Sequence, residues 1–127
     1  MAKKIRVGTD IVHLPKFEKS INTGNFIQKI FHPKEIQYCE SKPAQARLAS
    51  YAARFAAKEA FSKALGTGLF VNGVTPRDIW VENEASGRPF LCLAENILLL
   101  LNEVEYYDHD ISLSHHEQNA IATVILY

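Results

Sequence analysis

Arg54-Phe55-Ala56-Ala57-Lys58-Glu59-Ala60-Phe61-Ser62-Lys63-Ala64-Leu65-Gly66-Thr67-Gly68 decides the fold: an alanine-rich helix carries a carboxylate, a hydroxyl and an ammonium into a glycine loop. At about 100° per residue, Phe55, Glu59, Ser62 and Lys63 share one arc, while Ala57, Ala60, Phe61 and Ala64 take the opposing one. The alanine arc is expected to pack closely, leaving the polar arc free to bind. Alanine has the best helix propensity, and Gly66 stops the helix as a C′ glycine. A long helix is therefore expected from about Pro43 to Leu65, with Ser41 near its N-cap. Glu59 and Lys63, four residues apart, read either as a solvated ion pair or as metal and phosphate chemistry at a helix end.

Upstream, Ile5-Arg6-Val7-Gly8-Thr9-Asp10-Ile11-Val12 alternates as a strand, with Gly8, Asp10 and Val12 on one face. A carboxylate among valine and isoleucine needs a metal, a cation or hydrogen-bond donors; backbone N–H groups at a strand end are one such source. Leu14 to Ile21 reads as a short helix opened by Pro15, Phe26 to Phe31 as a helical turn, and the segment from His32-Pro33 as another helix.

Downstream, Thr75-Pro76-Arg77-Asp78 turns into a strand at Ile79-Trp80-Val81-Glu82, and Pro89-Phe90-Leu91-Cys92 is its hairpin partner. Leu93 to about Val104 is apolar at helical spacing. Ile111-Ser112-Leu113-Ser114-His115 alternates as a strand, and the nearly continuous apolar run from Ala120 to Tyr127 predicts a strand buried on both faces. Helices mixed with hairpin-connected strands give an α+β fold, a long central helix packed on an antiparallel sheet.

The 127 residues, 47% hydrophobic, suit a single domain spanning 1–127. Fourteen basic and 14 acidic side chains cancel, so nothing in bulk draws the chain to nucleic acid or an anionic membrane. Cys39 and Cys92 have neither zinc spacing nor a disulfide pattern. No stretch approaches the ~20 apolar residues of a membrane span, and a cytoplasmic location is the expectation.

Gly8-Thr9-Asp10-Ile11, the Arg54–Ala64 helix and Ile111-Ser112-Leu113-Ser114-His115 together resemble the signatures of the 4′-phosphopantetheinyl transferases, in their short, trimeric form. Gly66-Thr67-Gly68, Asp78-Ile79 and Gly87-Arg88-Pro89 also sit where that family carries similar residues. The resemblance implies transfer of the phosphopantetheine arm of coenzyme A to a serine of apo acyl carrier protein, as in fatty-acid synthesis, with release of adenosine 3′,5′-bisphosphate. It implies Mg²⁺ held by Asp10 and Glu59, and a homotrimer with active sites between subunits. Glu59, Lys63 and His115 would be the catalytic residues. Arg54, Ser62, Gly66, Thr67, Gly68, Arg88 and Pro89 would contact the coenzyme.

The chemistry is consistent with that assignment, since Mg²⁺ is commonly held by one or two carboxylates plus phosphate and water. Lys63 would reach the pyrophosphate, helped by the Ser62 hydroxyl and the loop amides. The serine proton has three routes open: Glu59, a metal-bound water or another base. His115 reads as phosphate-orienting, proton-transferring or merely a strand-end histidine, while His13, His32, His109 and His116 are given no role. Carrier docking falls to Lys16 and Lys29; these and Asn25 stand where the family commonly has arginines, which alters carboxylate recognition. Two other readings remain: a Mg²⁺-dependent hydrolase of coenzyme A or a related nucleotide diphosphate, and a non-catalytic carrier-docking module.

Overall fold

The computed structural model describes residues 4–71 and 73–127; the lead-in Met1-Ala2-Lys3 and Asn72 lie outside the described residues. The elements run β1 (Arg6–His13), α1 (Leu14–Ile21), α2 (Phe26–Ile30), α3 (Pro33–Glu40) and α4 (Ala44–Leu65). After a 3₁₀ turn at Pro76–Asp78 come β2 (Ile79–Asn83), β3 (Pro89–Leu93), α5 (Glu95–Glu103), β4 (His109–His116) and β5 (Asn119–Leu126). The strands form an antiparallel sheet in the order β1-β5-β4 and a separate β2-β3 hairpin, so the α+β expectation holds.

Helix α4 is the axis of the fold. Ala52, Ala56, Ala57 and Ala60 are completely buried. Gly8 on β1 lies so close that an added Cβ would stand 2.0 Å from the Ala60 carbonyl oxygen and 2.7 Å from the Ala64 nitrogen. Gly66 takes φ 91° at the C-cap, a conformation glycine adopts without steric cost. The N-cap is Pro43; Ser41 instead ends α3, its hydroxyl donating to the Tyr38 carbonyl at 2.6 Å. The expected Ser41 cap thus closes the preceding helix, and proline with φ −66° starts α4.

A second correction concerns β5, which alternates. Ala120, Ala122, Val124 and Leu126 face α4 and are fully buried, but Ile121 and Ile125 are 40% and 38% exposed. Only one face of the three-stranded sheet is covered by the chain's own helix. The open face pairs Val7 with Ile125, Thr9 with Thr123 and Ile11 with Ile121, leaving Val7 64% and Ile11 62% exposed.

On its other flank α4 buries a charged stripe. Lys58 is completely enclosed and donates to Glu35 Oε1 at 2.6 Å, to the Pro76 carbonyl at 3.0 Å and to the Ile79 carbonyl. Glu35 also accepts the main-chain N–H of His32 and of Val81, both at 3.0 Å. One ion pair therefore joins the start of α3, the middle of α4, the 3₁₀ turn and β2. Burial lowers the Lys58 pKa, and the Glu35 charge and hydrogen bond oppose that shift. His32, given no role by its spacing, caps α3 by accepting the Lys34 N–H on Nδ1 and stacks on Trp80 at 4.2 Å.

Candidate active site

Because Gly8 brings β1 against α4, Asp10, two residues on and on the same face of the strand, comes level with the exposed edge of α4. There Lys63 Nζ donates to Asp10 Oδ1 at 3.0 Å and to the Thr9 carbonyl at 3.1 Å. Glu59 sits one turn earlier on α4, a second carboxylate beside Asp10. Burial first, then the Asp10 charge, push the Glu59 carboxyl above the usual glutamate range, while Lys63 pulls it back.

Two grooves meet at Glu59. One, of about 320 Å³, has Asp10, Lys16, Phe17, Phe55 and Glu59 among its walls. The other, of about 420 Å³, is lined by Glu59, Ser62, Lys63, Gly66, Thr67 and Gly68. A bulky anion spanning both would pass directly over the paired carboxylates.

Two adjacent carboxylates, one of them raised by burial and by the charge of the other, suit a hard divalent cation. Among the described residues no group of three or more His, Cys, Asp or Glu gathers to hold a metal ion, so the rest of an octahedral shell would come from phosphate and water. The helix end reinforces this preference. Lys63 stands in the last turn of α4, at its carbonyl pole, which attracts cations and repels anions. Phosphate would bind here through Lys63 or a metal ion.

Three of the expected donors already have partners within the helix end. The Ser62 hydroxyl donates to the Glu59 carbonyl at 2.9 Å, and the Gly66 and Thr67 N–H groups both donate to the Ser62 carbonyl, at 2.8 and 3.2 Å. These donors close the helix terminus, as carbonyls left over at a helix end require. Ser62, Gly66, Thr67 and Gly68 still shape the groove.

Arg54 is not brought into either groove. It is buried, its Nη2 donates to Asn83 Oδ1 at 2.6 Å, and its guanidinium lies 4.1 Å from the centre of the Tyr38 ring. It lies beneath a different groove of about 570 Å³, whose walls include Tyr38 and Asn83. Arg88 forms an exposed ion pair with Asp110 on β4, at 3.1 Å, and Pro89 begins β3; neither lines the two grooves.

His115 is exposed on β4, in register with Ala120, which pairs with Val12. It thus shares the α4-facing side of the sheet with Asp10, but two strands away, roughly 12 Å at the Cα atoms from strand and residue spacing. Lys16 lines the carboxylate groove, while Lys29 lies over Phe70, its Nζ 5.8 Å from the ring centre. Sequence reasoning missed His13, Phe17 and Ser20 as groove residues. The available signal was α1 following β1 without a spacer, which folds it back over Asp10.

The chain belongs to the 4′-phosphopantetheinyl transferase superfamily, whose family model matches residues 6–124. It is accordingly an enzyme. It is 42% identical over 120 residues to the holo-[acyl-carrier-protein] synthase of Treponema denticola, covering 94% of this chain and 95% of that one. The crystal structure of holo-[acyl-carrier-protein] synthase from Neisseria meningitidis superposes with a TM-score of 0.86 at 30% identity, covering 96% of this chain and 97% of the other. The Bacillus anthracis holo-(acyl-carrier-protein) synthase, solved in complex with CoA (3′,5′-ADP), matches with a TM-score of 0.80 at 31% identity over 95% and 94% of the two chains. Among the described residues, no helix is long and apolar enough to cross a membrane.

Proposed function

We propose that this enzyme transfers the 4′-phosphopantetheine arm of coenzyme A to a serine of apo acyl carrier protein, with Mg²⁺ at Asp10 and Glu59, releasing adenosine 3′,5′-bisphosphate. The observation that carries this reading is the junction at Glu59. Two carboxylates and an ammonium converge where two open grooves meet. One groove suits the coenzyme's phosphates and the other the incoming carrier serine.

When bound, Mg²⁺ would neutralise pyrophosphate charge and the charge that develops on the departing bisphosphate. Asp10 and Glu59 would hold that cation from β1 and α4. Lys63 holds a phosphate oxygen in the second groove as a mobile point charge. The serine proton leaves through Glu59, a metal-bound water or another base at the junction. Phe17 and Phe55, with ring centroids 5.4 Å apart, form an apolar wall of the first groove beside Glu59. Lys16 and Lys29 offer positive charge to an acidic carrier on the α1–α2 side.

The open sheet face supports assembly of copies into a homotrimer, since exposed apolar pairs of this kind mark interaction surfaces. In such a trimer His115, Arg88 and Pro89, outside their own chain's grooves, would serve a neighbour's. The setting that goes with this reading is fatty-acid synthesis in the cytoplasm.

The test is to incubate the protein with coenzyme A, Mg²⁺ and apo carrier and weigh the carrier. The expected result is a gain of one phosphopantetheine arm at a serine, dependent on Mg²⁺. An unmodified carrier would overturn the proposal, and bisphosphate released without carrier would indicate hydrolysis.

A further inference from the structure

We propose that Lys63 is the resident counter-cation of Asp10 and that an arriving divalent metal ion displaces it, turning its ammonium from β1 toward the phosphates of the second groove. The proposal rests on the reading of Asp10 and Glu59 as cation ligands. It goes beyond that reading by making Lys63 a competitor for the metal as well as a phosphate contact.

The geometry sets up the competition. Lys63 Nζ donates to Asp10 Oδ1 and to the Thr9 carbonyl, so one carboxylate oxygen that a metal ion would use is already taken. The two partners are not equally held. The Asp10 side chain is 17% exposed and the Lys63 side chain 54%, so Asp10 is enclosed beneath α4 while the Lys63 side chain has solvent to turn into once its two bonds are exchanged. Partly exposed ion pairs of this kind are weak, and a divalent ion between Asp10 and Glu59 would also repel the neighbouring ammonium.

The destination is equally constrained. Among the residues lining the second groove, Lys63 carries the single positive charge, and the N–H groups of Gly66 and Thr67 are committed to the helix end. The positive charge that a phosphate meets from that groove's lining is therefore the ammonium the metal has released. Coupling of this kind is reciprocal: phosphate that draws Lys63 away from Asp10 must tighten the metal, by the factor with which the metal tightens phosphate.

The experiment titrates Mn²⁺ into the metal-free protein without coenzyme and reads free Mn²⁺ by electron paramagnetic resonance. It compares wild type with Lys63→Met and with Lys16→Met, which removes a positive charge from the same carboxylate groove without touching Asp10. The expected result is that Lys63→Met tightens Mn²⁺ roughly five- to tenfold, at the low end of the usual range of site coupling, while Lys16→Met changes it less than about twofold. In wild type, Mg²⁺ alone should shift the ε-methylene NMR signal of Lys63, a readout that does not depend on any variant folding. Unchanged or weaker Mn²⁺ binding by Lys63→Met, equal tightening by Lys16→Met, or an unmoved Lys63 signal while Mn²⁺ binds would overturn the displacement and leave the metal site standing. If wild type binds no Mn²⁺ with or without coenzyme A, the metal reading itself fails, and this proposal with it.

Discussion

Gly8 lies beneath Ala60 with no room for a side chain: a Cβ at position 8 would come within 2.0 Å of the Ala60 carbonyl oxygen. The helix backbone cannot move aside, since that oxygen belongs to the α4 ladder. Gly8→Ala is expected to push β1 off α4, costing about 1–3 kcal/mol, as overpacking typically does. It should also carry Asp10 away from Glu59 and Lys63. Denaturant unfolding and carrier modification should therefore both suffer; wild-type stability in this variant would contradict the close approach.

Glu59→Gln should separate chemistry from folding. The folded pKa of Glu59 is raised above its ordinary value, so its ionised form costs stability at neutral pH, and that cost is relieved as pH falls through the raised value. The neutral amide removes the cost. We expect turnover to drop by about 10²-fold or more, on the scale of losing a transition-state electrostatic contact. Stability should rise by only a few tenths of a kcal/mol, because the carboxyl is still part-exposed and screened. A destabilised Glu59→Gln would argue for a structural glutamate.

The adjacent residue should behave oppositely. Lys58→Met leaves the Glu35 carboxylate buried without its cation, at an expected cost of about 3–5 kcal/mol. Glu35→Gln should also be strongly destabilising, and the double variant should lose less than the sum of the two, since they share one network. Additive losses in urea unfolding would mean that the pair is not coupled.

Burial holds the His32 pKa below its ordinary value, with Glu35 opposing and Lys58, Arg77 and Lys34 assisting. Between the folded value and 6.5 the unfolded chain binds more protons, so stability should fall as pH drops below about 6.5. Protonation would also remove the Nδ1 acceptor that caps α3. His32→Asn keeps a capping acceptor that does not titrate, and should flatten part of the decline in Tm between pH 7.5 and 5.5. His109, likewise lowered by burial, should retain the remainder. An unchanged slope in His32→Asn would count against this account.

Ile121→Lys places a charge at the centre of the open sheet face, opposite Ile11. If that face joins copies of the chain, sedimentation should show a multi-subunit mass for wild type and a single-subunit mass for the variant. A monomeric wild type at all working concentrations would refute the assembly.

The pattern of residues carried the architecture far. Asp10, Glu59 and Lys63 are readable because periodicity puts Asp10 on the packed face of β1 and the other two on one edge of a helix, and the fold brings those edges together. Arg54 and Ser62 were not readable as structural groups. The partner of Arg54 is Asn83, 29 residues on, which helical periodicity does not reveal; Ser62 back-bonds to the Glu59 carbonyl one turn earlier, an option open to any helical serine that its spacing does not single out. The apolar run at β5 misled because periodicity cannot distinguish a face covered by the chain itself from one left open. Lys58 did leave a signal: a lysine on the same stripe as Phe61, with an acid waiting in the His32–Glu35 capping box.

That buried lysine also acts on its neighbour. Lys58 is keyed between the Glu35 carboxylate and two carbonyls, so α4 cannot turn about its own axis without tearing the key from its slot. Glu59 is the next residue, about 100° further round the helix. Catalytic constellations tolerate about 10–20° of misorientation, so Lys58 serves as the indexing pin that fixes the heading of the carboxylate beside it.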